Sequence, residues 1–171
     1  MQKSSENNLP DKKKAAICGL FCPACTFYIA NMEDPERLIR LAARRNQPVE
    51  ELRCEGCRSS VRTSYCKTCK MAECSAQKRI EFCGECEEYP CDQLKEFQAF
   101  YPHRIELWQS LDRIKEVGYE QWYQEMLEHY SCPDCGTINS AYDAACRKCG
   151  KTPSCTYVSR NSKGIKERMP K

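Results

Sequence analysis

The sequence predicts a small metal-rich α+β protein: an irregular zinc-knuckle domain with short helices, then a helical segment and a C-terminal zinc ribbon. Three observations point there. Cysteine supplies 16 of 171 residues, at the level of ~8–10% where thiols organise a fold. Most of these cysteines stand in C-x2-C pairs, the spacing that offers two sulfurs to one ion. Charged residues make up 30% of the chain and the mean hydropathy is −0.73. Apolar burial therefore needs support, which metal sites supply.

Metal is preferred over disulfides because of how the chain starts. Residues 1–14, MQKSSENNLPDKKK, contain no apolar run of the kind a secretory signal uses. No stretch approaches the ~18 apolar residues of a membrane span. The expectation is a cytoplasmic protein without membrane attachment, whose thiols stay reduced and bind metal. Net charge is +3, but the positive charge sits at the ends: four lysines in 1–14, and five basic residues in 160–171. The body is mildly acidic, which argues against a nucleic-acid-binding face on the folded part.

Taken in order, residues 1–16 read as a disordered polar tail and 17–94 as a cysteine-rich zinc-binding domain. Ala15–Leu20 is a short strand or extended entry, and Pro23–Asn31 a helix beginning beside Cys22 and Cys25. Asp34-Pro35 is an N-cap followed by proline at the first helical position. Leu38, Ile39, Leu41 and Ala42 then form an apolar face ending near Asn46. Cys54–Cys91 has almost no periodicity. A helical segment, 95–130, follows: Leu94, Phe97 and Phe100 mark a short helix broken at Pro102. Ile105, Trp108, Leu111, Ile114 and Val117 recur at three-residue steps, with Gly118 placed to stop that helix. Trp122, Met126, Leu127 and Tyr130 mark another. Residues 131–158 are the ribbon and 159–171 a basic tail.

The most specific metal signal is Cys132-Pro-Asp-Cys135-Gly and Cys146-Arg-Lys-Cys149-Gly, two knuckles separated by ten residues. Each C-x2-C-G turn aims N–H groups at the sulfurs, and the glycine accepts positive φ. Four sulfurs suit a closed, structural zinc, and the spacing resembles the zinc ribbon superfamily. A second set is Cys54, Cys57, Cys66 and Cys69; a third is Cys74, Cys83, Cys86 and Cys91, with interleaving between the two left open. Cys18, Cys22, Cys25 and Cys155 make a fourth, in which Cys155 would clamp the chain's two ends. The total is three or four zinc ions. Three thiolates at Cys18, Cys22 and Cys25 also suit an iron–sulfur cluster if Cys155 is not a ligand.

The spacing of CGLFCPAC resembles the cluster motif of radical S-adenosylmethionine enzymes, but the chain is shorter than their partial barrel. Ala24 also stands where an aromatic residue is usual, and no glycine-rich cofactor strand is visible. The two histidines, His103 and His129, read as surface or capping residues. No nucleophile–base arrangement or phosphate loop appears. The reading is therefore non-enzymatic: no catalytic residues, and an adaptor or regulatory module with a protein partner. One alternative is an iron–sulfur or thiol-based redox or metal-sensing protein. Another is a nucleic-acid accessory protein working through the ribbon, with Tyr142 and Tyr157 stacking on bases or, equally, covering the ribbon's core.

The segments ICGLFCPACTFYIA, LRCEGCRSS and YCKTCKMAECSAQKRIEFCGECEEYPCDQL together resemble the cysteine-rich family known as domain of unknown function 3795, over about Ile17–Leu94. All eleven cysteines of that interval fall on family-type positions. The resemblance implies zinc binding and leaves the activity open.

Overall fold

In the computed structural model, which describes residues 9–169, the chain is mostly helical. Seven α-helices are found among the described residues: α1 Thr26–Met32, α2 Pro35–Arg45, α3 Ser64–Lys67, α4 Lys70–Lys78, α5 Asp92–Gln98, α6 Leu107–Tyr130 and α7 Thr156–Arg168. Strand pairing among them is limited to two isolated bridges, Ala15 with Phe21 and Ser131 with Ile138. The expected α+β class is thus corrected to a helical one. Cysteine turns recur too closely for an extended run to reach the several residues a ladder needs. The expected entry strand is instead one turn, closed by Ala16 N–H to Leu20 O at 3.0 Å.

Helix α2 forms where its caps predict. The Asp34 carboxylate accepts from Arg37 N at 2.9 Å, Pro35 occupies the first turn, and Asn46 closes the helix in the left-handed region at φ 50°. Leu38 and Ala42, one turn apart, are buried, whereas Ile39, rotated off that line, is exposed. The segment before it starts later than expected: a 3-10 turn over Cys22–Ala24 precedes α1, and Cys25 stands at the N-cap.

Helix α6 is bent double. Gly118 adopts φ 83°, ψ 161° inside it, a region essentially reserved for glycine. A straight helix of its length would separate the ends by about 35 Å. Yet His129 Nε2 lies 2.6 Å from Glu106 Oε2, and Arg113 grips Glu125 at 2.7 and 2.9 Å. The two arms, 107–117 and 119–130, therefore run antiparallel. Neither histidine sits on the surface as expected. His129 joins this inner pair, and His103 Nδ1 lies 2.7 Å from the Tyr142 hydroxyl.

An aromatic column joins the ends of the chain. Phe21 packs on Trp122, Tyr123 and Tyr130 with centroids at 5.9, 5.0 and 5.7 Å, and Tyr130 stacks on Tyr157 at 4.8 Å. Each such pair adds roughly 0.5–1.5 kcal/mol to the area it buries. The column explains two corrections. The expected basic tail is helical to Arg168, since Tyr157 and Val158 are buried, Asn161 donates to Glu106 Oε1 at 2.7 Å and Arg168 to Gln98 O at 2.8 Å. The expected N-terminal tail is ordered over its described part, with a 3-10 turn at Lys12–Lys14 capped by Asp11 and with Ala15 and Ala16 buried. Residues 1–8 and 170–171 lie outside the described residues.

Candidate metal centre

The two C-terminal knuckles are built on one local pattern. Cys132 N–H donates to Thr137 O at 2.8 Å and Gly136 N–H to Cys132 O at 2.9 Å. Fourteen residues on, Cys146 N–H donates to Lys151 O at 2.7 Å and Gly150 N–H to Cys146 O at 2.9 Å. Gly136 and Gly150 take φ +70° and +77°, which lets each turn close. The result brings the sulfurs of Cys132, Cys135, Cys146 and Cys149 all within 4.8 Å of one another. Cys132 Sγ lies 3.5 Å from Cys149 Sγ, and Cys135 Sγ 3.6 Å from Cys146 Sγ. A tetrahedral zinc with bonds of ~2.3 Å separates its sulfurs by about 3.8 Å. The residues fit one metal ion.

The thiols also need a cation. Burial opposes ionisation of Cys146, but the N–H groups of Cys149 and Lys148 outweigh it and draw that thiol down. Cys149 goes the other way: the Lys151 N–H draws it down, and burial with the three neighbouring thiols pushes it up more strongly. Four thiolates this close do not ionise together unless a cation compensates them.

The unit is anchored on the N-terminal half by residues the sequence reading passed over. Arg37 of α2 pairs with Asp143 at 3.1 Å and donates to Ser140 Oγ at 3.2 Å and Thr26 Oγ1 at 2.7 Å. Asn139, fully buried, donates to Thr137 O and Ser154 O and accepts from Arg147 N. The N-S-x-x-D stretch, in which Asp143 Oδ2 accepts from Ser140 N, was the available signal for this turn. Of the two tyrosines considered for base stacking, Tyr157 is only 1% exposed; Arg147, between Cys146 and Cys149, pairs with Glu33.

The other cysteines are placed differently. Cys74, Cys83, Cys86 and Cys91 line one open cavity of about 220 Å³ together with Met71 and Lys78, and Lys78 Nζ lies 3.3 Å from Cys86 Sγ. Cys18, Cys22 and Cys54 are buried; Cys25, Cys57, Cys66 and Cys69 are half-buried. Among the described residues, no three thiols outside this four-cysteine cluster lie all within 4.8 Å of one another. Cys155 is buried at the N-cap of α7, where its thiol makes no capping bond to the helix and accepts from Ser154 Oγ at 3.7 Å. It is not gathered with Cys18, Cys22 and Cys25. All sixteen cysteines are free of disulfides.

Fold and site define a helical, cysteine-built protein with a four-thiolate centre able to hold a metal ion. Residues 14–96, just under half of the chain, match the model of the family described as "Protein of unknown function (DUF3795)". The match covers the whole segment whose cysteine pattern carries the resemblance; the Cys132, Cys135, Cys146 and Cys149 cluster lies outside it. No curated protein and no solved structure matches the chain. No helix of the described residues is long and apolar enough to cross a membrane.

Proposed function

We propose that the chain is a cytoplasmic multi-zinc protein with no catalytic activity, an adaptor or regulatory module that presents a metal-rigidified surface to a protein partner. The observation that carries this reading is the Cys132, Cys135, Cys146 and Cys149 centre. Its four ligands are all cysteine, and such a set leaves zinc no open position, which is the mark of a structural rather than a catalytic site. Sixteen cysteines without a disulfide favour a reducing compartment.

Elemental analysis of protein purified without oxygen tests it, combined with a melt before and after chelation. The expected result is three or four zinc ions per chain, no iron, and loss of the cooperative melt when they are removed. Structural zinc contributes ~10–16 kcal/mol per site in isolated peptides. Iron with equimolar sulfide would support the redox alternative, and a cooperative melt in metal-free protein would end the scaffold reading.

A further inference from the structure

The sequence places its positive charge at the ends of the chain, and folding carries one of those ends onto the body. Helix α7 lies along residues 98–106: Tyr157 donates to Pro102 O at 2.6 Å, a methyl group on Gly164 would meet Ile105 Cδ1 at 3.2 Å, and Arg168 donates to Gln98 O at 2.8 Å. A third segment joins through Arg104, whose Nη2 donates to the Tyr65 hydroxyl at 3.4 Å. Over residues 62–70, 95–104 and 162–169, eight basic residues stand against two acidic ones, Glu96 and Glu167.

Arg104 is the centre of this face. It is buried, yet its hydrogen-bond partners are the Phe97 carbonyl at 2.7 Å, the Tyr65 hydroxyl and the His103 ring. None of them carries negative charge. Its Cζ lies 3.4 Å from the centre of the Phe97 ring and 4.7 Å from that of Tyr101. A cation compensated by dipoles and ring faces alone leaves its positive field on the surface above it. Large rings meet solvent there. Phe100 is 68% exposed, Tyr65 63% and Tyr101 40%, and no other aromatic ring among the described residues is as exposed. Tyr101 is held by the His103 ring, stacked on it at 5.7 Å. Lys67 and Lys70, which follow Tyr65, are exposed, as is Lys166 on the last turns of α7.

A partner suited to this face offers flat apolar rings and negative charge together. A single strand of nucleic acid does so, since its bases stack on aromatic side chains while its phosphates meet lysine and arginine. A duplex hides the faces of its bases, and an acidic polypeptide offers charge without rings. We propose that Tyr65, Phe100 and Tyr101, with Lys67, Lys70 and Lys166, form a binding face for single-stranded nucleic acid. Tyr65 and Phe100 take bases, and the lysines take the phosphates between them. The inference goes beyond the metal-scaffold reading and uses none of the cysteines.

Fluorescence anisotropy of labelled oligouridylate and oligothymidylate with the full, metal-loaded chain tests this. Tyr65→Ala and Phe100→Ala should each weaken binding by about 10-fold, the loss expected for one base stacked on one ring. Tyr65→Phe keeps the ring and should bind like the wild type. Lys67→Gln should reduce the slope of log K against log salt by about 0.7, one phosphate contact on a single strand. The strand bound more tightly identifies the source as RNA or DNA, and either supports the face. Photocrosslinking of thiouridine-bearing strands to the wild-type protein, mapped to the peptides that hold Tyr65 and Phe100, decides the site should a variant fail to fold. Absence of binding to both strands at low salt would overturn the proposal, as would crosslinks confined to other peptides. Equal affinity for polyglutamate, or affinity unchanged in both alanine variants, would overturn it too, because charge alone would then be read.

Discussion

Arg37 and Asp143, 106 residues apart, face each other at 3.1 Å with each side chain only 14% exposed. This pair fastens the C-terminal cysteine unit to helix α2. The C-terminal four-cysteine unit is not a bead on a string; it is docked.

Arg37→Ala should therefore lower stability by about 3 kcal/mol, because it leaves a shielded carboxylate without its cation. Denaturant unfolding measures it. In a double-mutant cycle with Asp143→Ala the two losses should not add, since both remove one interaction.

Cys132→Ser should release one metal ion and expose residues 131–155 to hydrogen exchange. The Asn139 and Arg147 hydrogen bonds depend on the closed knuckles. Loss of every metal on that single change would instead show the sites to be interdependent.

Tyr157→Phe removes the hydroxyl that donates to Pro102 O at 2.6 Å in the interior, and should cost about 1–2 kcal/mol. Tyr157→Ala also removes the ring stacked on Tyr130 and should cost about 3–5 kcal/mol. Thermal melts of the two variants separate the hydrogen bond from the packing.

His103 gives a pH signature. Burial, with the Arg104 charge beside it, holds its pKa down at about 3. The unfolded chain takes up that proton near ~6.5 while the folded one does not, so stability falls as pH drops from about 6.5 toward 3. His103→Gln should lose about 2 kcal/mol less than wild type between pH 7 and 5. Equal slopes for the two proteins would show that the ring is free to protonate when folded.

Gly118→Ala should destabilise by about 1–3 kcal/mol. The cost is backbone strain rather than collision, because the added methyl meets only the flexible end of Glu120, at 3.3 Å. A melt unchanged from wild type would mean that the reversal of α6 does not need glycine.

The sequence by itself determined what is local. The two C-terminal cysteine turns were legible because each turn's hydrogen bonds close within six residues, from Cys132 to Thr137 and from Cys146 to Lys151. The α2 boundaries were legible because Asp34 and Asn46 cap it with their own side chain and backbone. Gly118 was legible as a stop because no other residue takes its φ and ψ freely. Tertiary structure decided the rest. Residues 159–168 look like a basic tail because little within them holds a helix. They fold because Tyr157 finds Tyr130, and Arg168 finds Gln98 O, a full 70 residues away. Cys155 counts as a spare ligand in the sequence, but the same packing places it at the N-cap of α7. A C-x2-C pair fixes the distance between its own two sulfurs, and only chain reversal brings sulfurs from distant segments against them.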